Sequence, residues 1–269
     1  MARILLTGAA GRVGTAIAPL LRDAGWTLRL LDLRQPAAAT AADEVVLASA
    51  TDEASMAAAA RDVDLLVHLA GFPEERPWPD LVSVNLESVR VALEAARAAA
   101  VPVTVIASSG HAVGATPADE AGAEVLPPRP DSYYGVVKAA GEALAQLYAD
   151  RFGMRVVSAR IVAFDERPRT ARALSVWLSP ADLVRLLLAA ADAPPGHAVV
   201  WGVSANTRGV VSLEAGRALG YEPQDDAETW ADRLAAELGY PSGAEVPRLG
   251  STPLGGDWAD PARPLGRRW

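Results

Sequence analysis

Tyr134 and Lys138 stand four positions apart in the run Asp131-Ser-Tyr-Tyr-Gly-Val-Val-Lys138. On a helix that spacing places both side chains on one face, one turn apart. An ammonium beside a phenol favours the phenolate, which predicts a tyrosine pKa lowered from about 10 toward working pH. Tyr134 is therefore the candidate general base for a substrate hydroxyl. Ser109 follows the apolar strand pattern of Pro102-Val-Thr-Val-Ile-Ala107 and is placed to hold that same hydroxyl. Tyr/Lys pairs at this spacing also occur on ordinary helix surfaces, but the composition weighs against an accident. Of 25 basic residues, 24 are arginine and only Lys138 is lysine. A compact, rotatable ammonium stands at the one position where a planar guanidinium would have the wrong shape.

The beginning of the chain must position a partner for that chemistry. Ile4 to Leu6 is an apolar strand that runs into glycines at Gly8, Gly11 and Gly14, and helical periodicity follows at Ile17, Leu20 and Leu21. Without Cβ atoms a pyrophosphate can approach the backbone N–H groups at the helix start, where the dipole favours negative charge. Glycine spacing alone is weak, since a tight turn would use it too. Here the strand and helix flank it, and the next strand, Thr27-Leu-Arg-Leu-Leu-Asp32, ends in a carboxylate 18 residues past Gly14. An acid at about that distance accepts hydrogen bonds from the adenosine ribose and repels a 2′-phosphate, which predicts NAD rather than NADP. Arg12 and Arg34 argue mildly the other way.

Further apolar runs at Glu44–Ala48, Val63–Ala70, Pro102–Ala107 and Arg155–Arg160 alternate with helical segments at about 52–61, 80–99 and 131–152. Strands of this kind form a parallel sheet covered on both faces, with ligands at the strands' carboxyl ends. The expected fold is α/β, a Rossmann-type doubly wound parallel sheet with a small C-terminal substrate-binding elaboration. Residues 1–160 form the NAD-binding core and 161–269 the intertwined C-terminal portion. Phe72-Pro-Glu-Glu-Arg-Pro-Trp-Pro79 reads mainly as a connection, and Asn85 as a buried hydrogen-bonding group in its helix. Ser179-Pro-Ala-Asp182 is a helix start, with Ser as N-cap and Pro at the first helical position. His197–Trp201 is a later strand, followed by helices at 212–219 and 228–238. Trp177 and Trp201 could line a pocket or simply pack. From Tyr240 the composition predicts an irregular surface segment or an oligomer contact.

Thirty-three acidic against 25 basic residues give a net charge of −8, which argues against nucleic-acid or anionic-membrane surfaces. With no cysteine, disulfides and thiolate metal sites are excluded, and no metal is expected. A strand starting within three residues of Met1 and the lack of a membrane-length apolar run lead to the expectation of a cytoplasmic protein, with a homo-oligomer expected as well.

The segments Thr7-Gly-Ala-Ala-Gly-Arg-Val-Gly14, His68-Leu-Ala-Gly71, Ser108-Ser109 and Tyr134-Gly-Val-Val-Lys138 with Glu142 resemble an extended short-chain dehydrogenase/reductase of the NAD-dependent epimerase/dehydratase superfamily. Ala107-Ser-Ser-Gly-His111, Arg129-Pro-Asp131, Arg172-Ala-Leu-Ser-Val-Trp177 and Val199-Val-Trp-Gly-Val-Ser-Ala-Asn206 are most similar to its bacterial uronate dehydrogenase branch. The resemblance extends to about Glu228. It implies oxidation of a cyclic hexuronate at C1, giving an aldarolactone and NADH. It also implies NAD contacts at Gly8, Ala10, Gly11, Arg12, Val13, Gly14, Asp32, Leu33, Leu69, Ala70, Gly71 and Lys138. Substrate contacts would be Pro73, Ser109, Gly110, His111, Tyr134, Ala163 and Arg172, the last pairing with the sugar carboxylate. The family pattern has Ser at Pro73, Asn at Gly110, Ser at Ala163 and Asp at Ser49, so polar groups toward sugar and adenine are reduced. The alternatives are a sugar epimerase or dehydratase, a dehydrogenase of a neutral sugar, and a non-catalytic NAD sensor.

Overall fold

The computed structural model describes residues 2–241 and 245–268. Its centre is a seven-stranded parallel sheet of β1 (Arg3–Thr7), β2 (Thr27–Asp32), β3 (Glu44–Leu47), β4 (Leu65–His68), β5 (Val103–Ser109), β6 (Arg155–Ile161) and β9 (Gly196–Gly202), in the order β3-β2-β1-β4-β5-β6-β9. Two short strands, β7 (Ala163–Phe164) and β8 (Trp177–Leu178), pair beside it. Strand side chains alternate between faces. Ile4 and Leu6 therefore pack with α1 (Arg12–Asp23) through Ile17 and Leu21, while Leu5 packs on the other face with Met56 of α2 (Glu53–Ala59). The chain leaves β1 toward β2 on one side and reaches β4 on the other, which makes the cleft above β1 and β4 the switch point where ligands of such sheets bind.

The single helix expected over 80–99 is divided. A short α3 (Trp78–Asp80) leads into a π-helical turn, Leu81–Leu86, before α4 (Glu87–Ala98). The wide turn coincides with Asn85, whose amide clasps the Phe72 backbone: Phe72 N donates to Oδ1 at 2.8 Å and Nδ2 donates to the Phe72 carbonyl at 2.9 Å. α5 (Tyr133–Phe152) carries the Tyr/Lys pair, a four-residue α6 (Ala173–Val176) precedes β8, and α7 (Pro180–Ala190) is capped by Ser179 as expected. Beyond β9 lie α8 (Glu214–Ala218) and α9 (Ala231–Glu237), the latter entered through a 3-10 turn at Ala227–Trp230.

The last segment is irregular, but it is not a surface appendage. Leu254 is fully buried and Val246 nearly so, and Leu254 N and Gly255 N donate to Thr116 O and Gly114 O, each at 2.8 Å. Among the described residues no helix is long and apolar enough to cross a membrane, and no group of His, Cys, Asp or Glu could hold a metal ion.

Candidate active site

The glycine turn is shaped by what it excludes. A Cβ on Gly8, whose φ is +70°, would lie 2.8 Å from the Ala70 nitrogen, and one on Gly14 would lie 2.7 Å from both Ala9 Cα and Gly8 O. Only glycine lets β1, the turn and α1 approach β4 this closely. Gly11 caps α1 in extended geometry with no side-chain hydrogen bond, so the dipole end of α1 faces outward beside the turn. At the tip of β2, Asp32 accepts a hydrogen bond from Ala10 N at 2.9 Å and from Arg34 N at 3.2 Å. The carboxylate therefore holds the turn from beneath. Leu33 next to it is 73% exposed.

A cavity of about 450 Å³ opens beside this turn, at the carboxyl ends of β4, β5 and β6. Arg12, Val13, Leu69 and Gly71 form one wall, and Pro73, Ser109, His111, Tyr134, Lys138, Ala163 and Arg172 stand around the rest. Gly8, Ala10, Gly11, Gly14, Asp32, Leu33 and Ala70 lie outside it along the ends of β1, β2 and β4. Gly110 is not brought to the cavity either: its Cβ direction meets Val162 Cγ2 at 3.0 Å and Trp201 at 3.6 Å, toward the core. Of the two tryptophans, Trp177 lines the cavity and donates its Nε1–H to Asp165 O at 2.8 Å, whereas Trp201 packs behind it with Val113 and Val176.

Tyr134 and Lys138 project from the first turns of α5, as their spacing predicts, but the electrostatics differ from expectation. Burial pushes the Tyr134 phenol up to about 12, opposed by a hydrogen bond with Ser109 and reinforced by the Asp131 charge. Lys138 does not lower it. The ammonium lies 5.4 Å from the Tyr134 ring centre and donates to Ala107 O at 2.7 Å. Burial in turn pulls Lys138 down to about 8, with Glu142 opposing. Desolvation outweighs the local charge on both groups because each is enclosed. Behind Lys138, Arg160 Nε and Nη2 donate to Glu142 at 2.9 and 2.8 Å, and Ser108 Oγ donates to it at 2.5 Å, joining β5, β6 and α5 in one buried network. Burial also drives His68, between Thr7 Oγ1 and Ser88 Oγ, down to about 3, so it serves as a neutral strut.

Sequence reasoning left several members of the site unassigned. Asp131, whose side chain is fully buried, accepts from His111 Nδ1 at 2.7 Å and from Ser132 Oγ at 2.8 Å. Trp258, from the last segment, stacks on the His111 ring at 4.0 Å and meets Tyr134 edge-on at 5.6 Å. Arg172 Nε and Nη2 both donate to Leu254 O, at 2.8 and 2.5 Å, so part of its guanidinium holds that segment in place. Asp165 links Arg12 of the glycine turn, at 3.5 Å, to Arg169 at 3.4 Å across the cavity mouth. The available signal was compositional: a tryptophan in Gly255-Gly-Asp-Trp258 is out of place in a purely solvated tail.

With its sheet order, glycine turn and Ser–Tyr–Lys cluster, the chain belongs to the NAD dependent epimerase/dehydratase family, whose profile matches residues 4–164. It is 37% identical to a uronate dehydrogenase of Pseudomonas syringae pv. tomato over 237 residues, 87% of this chain and 86% of that one. An NAD-dependent glucose-6-phosphate dehydrogenase of Haloferax volcanii is 35% identical, with 83% and 94% covered. The crystal structure of uronate dehydrogenase from Agrobacterium tumefaciens superposes with a TM-score of 0.88 at 34% identity, covering 100% of this chain and 99% of that one, and a mutant of that enzyme has been solved complexed with NAD.

Proposed function

We propose that this protein is an NAD-dependent dehydrogenase that oxidises C1 of a cyclic hexuronate, glucuronate or galacturonate, to the aldarolactone. The observation that carries the reading is the meeting of Ser109, Tyr134 and Lys138 with Arg172 in one cavity beside the glycine turn. The turn suits the cofactor, because it keeps clear the space at Gly8 and Gly14 that a Cβ would fill and leaves the start of α1 without a side-chain cap. Gly8, Ala10, Gly11, Arg12, Val13 and Gly14 would hold the pyrophosphate, Asp32 with Leu33 the adenosine, and Leu69, Ala70, Gly71 and Lys138 the remainder. When bound, NAD supplies the hydride acceptor and, in its oxidised form, a positive charge.

Ser109 holds the C1 hydroxyl, and Tyr134 takes its proton. A phenol held near 12 is a poor proton acceptor at neutral pH. With the oxidised cofactor bound, the positive charge on its nicotinamide would favour that ionisation during turnover. Arg172 and His111 face the sugar carboxylate, and the guanidinium nitrogen not engaged by Leu254 O is the one free to reach it. Pro73 and Ala163 present no hydroxyl, so the pocket relies more on charge and on Trp177 and Trp258 than on hydrogen bonds to the sugar. We assign cofactor binding to residues 1–160 and a substrate-binding role to 161–269, which adds Ala163 and Arg172 to the substrate contacts of the first portion, and place the enzyme in the cytoplasm as a homo-oligomer. Cell fractionation and light scattering check those last points.

The deciding experiment is NADH formation, followed by absorbance, with glucuronate, galacturonate and their neutral parent sugars side by side. Oxidation of the acids alone is expected; oxidation of neutral sugars only, or of none, rejects the uronate reading.

A further inference from the structure

Glu75 lies in the proline-rich loop between β4 and α3 and is 1% exposed. A buried carboxylate is costly unless its oxygens are hydrogen-bonded, and this one is fully engaged. Oε2 accepts from Tyr134 N at 2.8 Å, and Oε1 accepts from Tyr133 N at 3.2 Å and Gly266 N at 2.9 Å. Ser132 Oγ accepts from Gly135 N at 3.0 Å. The three free N–H groups of the first turn of α5 are thus matched by one N-cap hydroxyl and by a carboxylate 58 and 59 residues away, whose charge also suits the helix dipole.

The third donor comes from the far end of the chain. Next to it, Arg268 Nε pairs with Glu74 Oε2 at 2.9 Å. The segment fastened there is the one that, upstream, puts Leu254 O on Arg172 and Trp258 on His111.

We propose that Glu75 is a positioning residue: its carboxylate fixes the first turn of α5, and with it the Tyr134 hydroxyl, and latches the last segment over the cavity. The placement of the base and its enclosure are thereby tied to one group. This rests on Tyr134 being the base. Its physical root is that Tyr134 is the second residue of α5, in the turn that frays first when its N–H groups lose their acceptors.

The test uses Glu75→Gln, which keeps the shape but turns an NH2 toward N–H donors, and a truncation after Arg263, which removes residues 264–269 and with them the Gly266 and Arg268 contacts. Each should lower kcat by about 10- to 100-fold, the scale of a small misplacement of a reacting group, while the NAD Kd stays within about twofold. Because both act through one latch, the double variant should fall no more than about twofold below the worse single one. Hydrogen exchange read by mass spectrometry on the full-length protein should rise together in residues 131–137 and 252–263 of Glu75→Gln. Exchange confined to 131–137, multiplicative kcat losses, or unchanged turnover would each overturn the proposal, leaving Glu75 a local helix cap. If Glu75→Gln fails to fold, the truncation decides by the same exchange in 131–137. Coupled exchange in a protein that oxidises no sugar acid would sink the dehydrogenase reading and leave the latch standing.

Discussion

The two walls of the cavity are built on opposite plans. The cofactor side is nearly contiguous in sequence: Arg12, Val13, Leu69 and Gly71 line the cavity, and the glycine turn from Gly8 to Gly14 runs just outside it as close-packed backbone. Its selectivity lies in atoms that must be missing, since a Cβ at Gly14 would sit 2.7 Å from main chain. The substrate-side wall gathers Pro73, His111, Ala163, Arg172, Trp177 and Trp258 from stretches spread over residues 73–258, and it is made of side chains. On one side a side chain at Gly8 or Gly14 meets main chain, whereas the other is an exchangeable surface on a fixed frame.

The largest expected effect lies where the walls meet. Tyr134→Phe should lower kcat by about 10²- to 10⁴-fold, the usual worth of a general base, with NAD titration unchanged; retained turnover would mean that the base is another group. Arg172→Ala should lower kcat/KM for uronates by about 10- to 100-fold, the range of a hydrogen bond to a charged partner, and neutral sugars far less. Equal loss for both would make Arg172 only the anchor of Leu254. Gly14→Ala forces a methyl against backbone and should cost about 1–3 kcal/mol of stability, as overpacking does. Urea melts and NAD titration read this, and an unperturbed NAD Kd would show the cofactor-side wall to be as tolerant as the other.

A pH series tests the burial of the pair. Lys138, lowered to about 8, binds fewer protons folded than unfolded between about pH 8 and its ordinary 10.5, so stability should rise with pH there. Tyr134, raised to about 12, holds its proton longer folded than unfolded, so stability should fall between pH 10 and 12. Lys138→Met should remove the first slope and Tyr134→Phe the second in urea melts. The smallest change expected is a gain: Pro73→Ser with Ala163→Ser should raise kcat/KM for uronates by roughly 2- to 10-fold, the net worth of one or two hydrogen bonds. A loss would show that these positions are packed rather than exchangeable.

The same contrast decides what could be read from the sequence. The sheet, the glycine turn and the Tyr/Lys face were legible because each rests on local periodicity, and Ser179 announced α7 for the same reason. The tyrosine environment was not, since spacing records a neighbour four residues on and carries nothing about how much solvent a fold removes. Glu75, Asp131 and Trp258 act through partners 20 to 191 residues distant, and no local pattern marks such a pairing. The π-helical turn at Leu81–Leu86 escaped because its cause, the grip of Asn85 on Phe72, is tertiary.

Asp131 lies in a slot so narrow that a Cβ on Gly114 or Gly255 would fall within 1.9 Å of its Oδ2. Gly255 follows it by 124 residues. A nascent chain has all seven sheet strands by Gly202, yet that carboxylate stays open on one side, and Trp258 and Gly266 have still to arrive. The sheet is therefore complete in the chain before the site is: a chain stopped between Gly202 and Gly255 would carry every strand of the sheet while lacking the segment that closes over Asp131 and brings Trp258 to His111.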